Sequence, residues 1–290
     1  MNIHWYPGHM RKTKVLIQDN LKIVDLVIEV VDARVPLSSK NPDIQKWTKN
    51  KKRILLLNKS DLVKKEELEK WKKYFKEENK ADEILEISAK TGENLKELFK
   101  LIGKAEKEKT LKMQKKGVRN TTLRMLVAGI PNVGKSHIIN KLVKRKAAGV
   151  GDRPGFTKGK QWIKIKKGLE LLDTPGILWP KFESKIVGLH LAITGAIKDE
   201  ILDISQLTNE FVNIIKNEKE GKNLVEKYRI NEEDLQKSSE EIIEQIALSL
   251  GMLRTGGVPD VNKAELLIIR DYRANKLGEL VLDKINMDMK

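Results

Sequence analysis

Eight residues constrain this chain more than any others: Gly129-Ile130-Pro131-Asn132-Val133-Gly134-Lys135-Ser136, a G-x-x-x-x-G-K-[ST] segment. Its glycines let the backbone curl so that successive N–H groups face one point, and a following helix adds its positive N-terminal end. Such a loop works only between a strand and a helix, and the neighbouring sequence meets that demand. Leu123–Gly129 is a mostly apolar strand pattern, and Ile138, Ile139, Leu142 and Val143 recur at helical spacing. The unit implies a parallel α/β sheet and an anion made of phosphates. In that reading Val133, Gly134 and His137 line the phosphates, Lys135 bridges the β- and γ-phosphates, and the Ser136 hydroxyl ligates Mg²⁺.

The rest of the chain divides into two patterns. Apolar runs at Ile23–Val31, Ile54–Leu57 and Ile84–Ile87 read as buried parallel strands, and Trp162–Ile165 with Leu169–Asp173 reads as a hairpin. Helical patterns at Glu66–Glu78 and Asn94–Lys115 lie between them. Beyond Lys181 only helices are expected, at Ser205–Lys219, Glu232–Leu250 and Asn262–Leu277. The expectation is an α/β domain over residues 1–180, a doubly wound sheet, followed by a smaller all-α domain over residues 181–290.

Charge follows the same division. The chain carries 57 Lys+Arg against 41 Asp+Glu, yet residues 181–290 hold 16 basic and 20 acidic side chains. The excess of +20 therefore lies in residues 1–180, concentrated in Lys141 to Lys167 and in Lys100 to Arg119. A field of that sign points to a polyphosphate partner such as RNA, without saying which sequence. In the helical part Arg254, Lys263, Arg270, Arg273 and Lys276 are candidates for RNA phosphate contacts. The absence of cysteine excludes disulfide scaffolds and thiolate metal sites, and fits a reducing cytoplasm. No apolar run reaches the ~18 residues of a membrane span, and residues 1–22 lack a signal-peptide pattern, so no membrane association is expected.

Three further motifs select the nucleotide. Asp173-Thr174-Pro175-Gly176 ends a strand, with Asp173 placed to hold Mg²⁺ through water and Gly176 to report the γ-phosphate. Asn58-Lys59-Ser60-Asp61 ends another; the Asp61 carboxylate can accept from the N1–H and 2-amino groups of guanine, and adenine offers neither donor. Ser88-Ala89-Lys90 ends a third and can bring a backbone N–H to the guanine 6-oxo group. Four motifs at strand C-terminal ends imply GTP and GDP, and argue against an ATPase. Their order is unusual, because the base-reading pair precedes the phosphate loop. A circularly permuted GTPase sheet accounts for this, the old termini being joined through residues 94–121.

With these motifs the chain resembles the ribosome biogenesis GTPase A family of circularly permuted GTPases. The likeness extends to Trp5-Tyr6-Pro7-Gly8-His9-Met10, Asp32-Ala33-Arg34-Val35-Pro36, Gly155-Phe156-Thr157, Leu253-Arg254-Thr255-Gly256-Gly257 and Arg270-Asp271-Tyr272-Arg273. It implies binding to the large ribosomal subunit and its rRNA late in assembly, with GTP hydrolysis accompanying release. It also places His9 near the γ-phosphate as the group that orients water, since Ile177 stands where many GTPases carry glutamine. Asn132 is implied to help hold K⁺, and Thr157 is the candidate switch residue for Mg²⁺. His137 departs from the small hydroxyl residue that relatives more often carry there. No DNA partner and a monomer are expected. The alternative is a GTP-regulated RNA-binding or scaffold protein with negligible hydrolysis.

Overall fold

The structure is a computed structural model that describes residues 8–78, 80–144, 161–174, 176–179, 182 and 184–285, with only the main chain of residues 8–13, 144 and 161. Two compact units are distinguishable. One runs to Trp179 and takes up the chain again at Asp283; the other extends from Phe182 to Leu282.

The first unit contains a six-stranded sheet: β1 (Leu26–Asp32), β2 (Lys52–Asn58), β3 (Glu83–Ile87), β4 (Leu123–Ala128), β5 (Gln161–Lys166) and β6 (Leu169–Asp173). Their spatial order is β3-β2-β1-β4-β6-β5. Every neighbouring pair is parallel except β5 with β6, the hairpin that turns at Lys167-Gly168. The fully buried run Leu26–Asp32 has no polar-out alternation because β1 lies between β2 and β4 with both faces covered. It begins at Leu26 rather than Ile23, since the Ile23 and Val24 N–H groups close the end of the preceding helix on Asn20 and Leu21.

That helix is α1 (Gly8–Leu21), and the others in this unit are α2 (Pro42–Trp47), α3 (Lys65–Glu77), α4 (Leu95–Gln114) and α5 (Lys135–Lys144). Ile17 and Leu21 of α1 and Ile44 of α2 pack with Val27, Leu126, Ala128, Leu172 and Ile177 in one buried cluster on the sheet. Asn41 caps α2 through the Asp43 N–H and donates its amide to the Ile177 carbonyl at 2.9 Å. Chain order advances from β1 to β3 on one side and from β4 to β6 on the other, so the direction reverses between β1 and β4. The C-terminal ends beside that reversal form the usual ligand crevice of such sheets.

The second unit holds α6 (Lys185–Ile193), α7 (Ile204–Lys216), α8 (Gly221–Tyr228), α9 (Ser239–Ser249) and α10 (Val261–Arg273). The pattern over 232–250 is not one helix. Asn231 caps a 3₁₀ turn at Glu232–Gln236, and then Ser238 and Glu241 form a reciprocal capping box that starts α9. Among the described residues no helix is long and apolar enough to cross a membrane.

Candidate functional site

The loop between β4 and α5 is shaped by its glycines. A Cβ on Gly129 (φ +156) would run into the Val30 carbonyl of β1, and one on Gly134 (φ +98) into the Asn58 amide. Asn132 adopts φ 58 and is exposed, Ser136 is half-buried in the first turn of α5, and His137 is exposed. The segment after β6 lies against this loop. Thr174 Oγ1 donates to Val127 O at 2.8 Å, and Ile177 N–H donates to Gly129 O at 3.2 Å. Gly176 comes so close that an added Cβ would stand 2.6 Å from Pro131 Cα and 2.9 Å from Lys135 Nζ. Lys135 is buried, and its ammonium donates to Ile130 O at 2.7 Å. Burial pushes its pKa down to about 8, with the nearby Asp173 carboxylate opposing the shift.

Asn58 joins the two sides of the crevice. Its Nδ2 donates to the Val133 carbonyl of the phosphate loop at 2.5 Å, and its Oδ1 accepts the Ala89 N–H at 3.0 Å. One amide thus ties together the ends of β2, β3 and β4, using donor and acceptor at once. The Ala89 N–H read from sequence as a partner for a 6-oxo group is engaged by Asn58, whereas the Lys90 N–H makes no hydrogen bond among the described residues. Ser88 is buried and receives the Thr91 N–H on its hydroxyl. Asp61 sits half-buried in a 3₁₀ turn over Ser60–Leu62.

Beside this turn lies a charge cluster of the buried Asp32 and Arg34 with Lys59, of which only Lys59 is assigned from sequence, as part of the GTP-binding Asn58–Asp61 motif. Arg34 grips Asp32 with Nε to Oδ1 at 3.0 Å and Nη2 to Oδ2 at 2.8 Å, and Lys59 Nζ reaches Asp32 Oδ2 at 2.6 Å. Burial alone would raise the Asp32 pKa, but Arg34 and Lys59 outweigh it and hold the carboxyl well below the usual range. The signal available in sequence was a charged pair directly after a continuous apolar strand, which has to be paired if buried. Asp283 is a second such residue: its carboxylate accepts the Leu37 and Ser38 N–H groups at 2.7 and 2.8 Å and the Ser38 hydroxyl at 2.6 Å.

His9 lies in the first turn of α1, and its side chain is outside the described residues, as is the whole of Thr157. Ile177 is buried in the cluster with Ile17 and Leu21, so its side chain offers nothing to a water molecule. In the helical unit Lys263, Arg270 and Arg273 border an apolar groove of about 460 Å³ floored by Ile204, Met252 and Leu267. Lys263 and Arg270 are exposed, Arg254 pairs with Asp260 at 3.1 Å, and Lys276 pairs with Asp271 at 3.2 Å. Arg273 is committed elsewhere: it donates to the Ile193 and Ala192 carbonyls, each at 2.9 Å, and forks onto Asp199.

Among the described residues no group of three or more His, Asp or Glu side chains forms a metal cage. The donor set at the loop still suits Mg²⁺, which favours one hydroxyl, one carboxylate through water and substrate phosphates over an all-protein cage. A family described as 50S ribosome-binding GTPase matches residues 124–249, the stretch that opens with the phosphate-loop strand. Ribosome biogenesis GTPase A of Bacillus cereus is 44% identical over 283 residues, covering 98% of this chain and 94% of that protein. Its Thermotoga maritima counterpart is 31% identical over 280 residues, covering 97% and 94%. The GNP-bound structure of YlqF from T. maritima matches with a TM-score of 0.65 at 26% identity, covering 95% of this chain and 99% of that one. The GDP-bound form gives 0.63 with 93% and 98% coverage. With its phosphate loop, Asn58 bridge and Asp61 turn gathered at one sheet edge, the chain belongs to the ribosome biogenesis GTPase A family.

Proposed function

We propose that this protein binds GTP and GDP across the C-terminal edge of its sheet, hydrolyses GTP, and uses the nucleotide state to control its association with the large ribosomal subunit during assembly. The observation that carries the reading is the Asn58 amide, which bonds the phosphate loop and the Ser88–Lys90 turn at the same time. In this reading one nucleotide spans from Lys135 to Asp61. The phosphates lie on the N–H groups of Val133, Gly134 and Lys135, and Asp61 accepts from guanine N1–H and the 2-amino group. Lys90 supplies an open backbone N–H for the 6-oxo oxygen.

Ser136 and, through water, Asp173 would hold Mg²⁺, which when bound would spread the negative charge of the phosphates. Thr157, which lies outside the described residues, would join them when GTP is bound, and Asn132 would help hold K⁺. Gly176, with no side chain, lets the segment after β6 approach Lys135 and sense the terminal phosphate. Catalysis is positioning and charge stabilisation. Because Ile177 is buried, the attacking water is oriented from elsewhere, and His9 is the group assigned to it.

The cationic half of the chain supplies an RNA-facing surface. Along the C-terminal part of α4 and just beyond, Lys112, Lys115, Lys116 and Arg119 are exposed and make no ion pair among the described residues. Lys112 also borders a groove of about 390 Å³ at the N-terminal ends of β1, β2 and β4, the edge opposite the nucleotide. In the helical unit Arg254, Lys263, Arg270 and Lys276 remain candidates, and Arg273 is withdrawn because its guanidinium is used internally.

The buried Ile177 also favours a second reading, a GTP-regulated RNA-binding protein that scarcely hydrolyses. Multiple-turnover phosphate release in K⁺ and in Na⁺, with and without large ribosomal subunits, separates the two. The proposal expects turnover stimulated by subunits and by K⁺, lost in His9→Ala, and co-sedimentation stronger with a GTP analogue than with GDP. Background turnover under every condition establishes the second reading instead.

A further inference from the structure

The lysine between Asn58 and Asp61 has two carboxylates within electrostatic reach and contacts only one. Lys59 adopts a left-handed backbone (φ 66), an uncommon conformation for a residue with a side chain, and its ammonium closes on Asp32 at 2.6 Å. Asp61 lies two residues on, near enough for its charge to act on the Lys59 ammonium, yet the two form no ion pair among the described residues. Asp32 is fixed independently of Lys59. It pairs in register with Asn58 across β1 and β2, and Arg34 grips both of its oxygens. The Ser39 hydroxyl accepts its backbone N–H at 2.9 Å. It is therefore a rigid, fully ionised acceptor, a stronger lure for the ammonium than a half-buried Asp61 that solvent partly screens.

Without it, Asp61 is the next carboxylate available to Lys59. An ammonium seated on Asp61 would occupy the acceptor that guanine needs and leave the guanine donors unpaired. We propose that Asp32, braced by Arg34, is a positioning residue for base specificity: it holds the Lys59 ammonium off Asp61 and so keeps that carboxylate open to guanine. The proposal rests on the reading of Asp61 as the guanine acceptor.

The test measures GDP, IDP and ADP affinities for the full chain as wild type, Asp32→Asn, Lys59→Met and the double variant. Inosine lacks the 2-amino group, so the GDP-over-IDP ratio reports whether Asp61 is open. A lost hydrogen bond to a charged acceptor costs about tenfold or more. Asp32→Asn is expected to weaken GDP by at least about that factor and to bring the GDP-over-IDP ratio close to unity. In the Lys59→Met background, where no ammonium can fall onto Asp61, the same substitution should leave the ratio unchanged. A ratio untouched by Asp32→Asn overturns the proposal, and so does a fall of equal size in both backgrounds. Should melting show Asp32→Asn to be unfolded, Asp32→Asn/Arg34→Met removes the buried charge pair together and carries the same expectations. A wild type that binds ADP as well as GDP brings down the guanine reading itself, a separate result.

Discussion

The Lys135 ammonium is nearly enclosed, with a pKa pushed down to about 8 by burial while Asp173 opposes the shift. Phosphates placed beside it favour the charged form, so nucleotide binding must raise that pKa and, above pH 8, draw in a proton. Calorimetry of GDP binding in buffers of different ionisation enthalpy should show proton uptake growing from pH 7.5 to 9, with affinity falling over the same interval. A flat, zero uptake across that range would refute the placement of Lys135 against the phosphates. Glycine acts here by subtraction. Gly134 and Gly176 have no Cβ, and this is what admits the Asn58 amide and the approach of Pro131 and Lys135. An alanine at either site would displace backbone or break the bridge between the loops.

At the scale of elements, helix ends carry much of the specification. Ser238 and Glu241 begin α9 with a reciprocal cap, a pattern legible in the sequence as Ser-x-x-Glu, although the surrounding helical periodicity over 232–250 obscures it. The end of α6 was not legible in the same way. Its last carbonyls are met by Arg273 from α10: Ile193 accepts from its Nε, and Ala192, which also accepts the Gly195 N–H at 3.0 Å, accepts from its Nη2, beside Gly195 at φ +79. A side chain from 80 residues away leaves no local trace. Arg273→Met should lower the stability of the helical unit by about 2 kcal/mol, read as a shift in urea midpoint, and Arg273→Lys should recover only part of it because an ammonium lacks the planar fork. Binding to ribosomal subunits, measured where the variant is folded, should be unchanged. A selective loss of binding would return Arg273 to the RNA-facing set.

At the scale of the whole molecule, the sheet is indifferent to the order in which its strands occur in the chain. Strands β1 to β3 and β4 to β6 meet at the β1–β4 pair, and the loops at their C-terminal ends converge whether the chain enters at one half or the other. Charge is distributed on the same scale, with the helical part net acidic and the excess of cations in residues 1–180. Replacing Lys112, Lys115, Lys116 and Arg119 together by glutamine should weaken subunit binding and reduce the slope of log affinity against log salt by about 3, as expected for four phosphate contacts. Guanine-nucleotide affinity should stay as in wild type, since the groove beside Lys112 lies at the strand starts. An unaltered salt slope would exclude this surface.

The sequence by itself determined the six strands, the helices α3, α4, α5, α7 and α10, and the chemistry that depends on near neighbours. It did not mark α2, α6 or α8, and it ran the 3₁₀ turn at Glu232–Gln236 together with α9. Apolar runs marked the strands within a few residues, and short motifs marked the loops that follow them, because a strand, a glycine turn and a helix start are each set by residues adjacent in the chain. Only the tertiary structure decided which groups share a charge or a hydrogen bond across the fold. The Asn58 amide meets Val133 75 residues on, Lys59 reaches back 27 residues to Asp32, and Asp283 caps Leu37 across 246. Such partners are chosen by three-dimensional distance and by the cost of leaving a buried polar group unpaired.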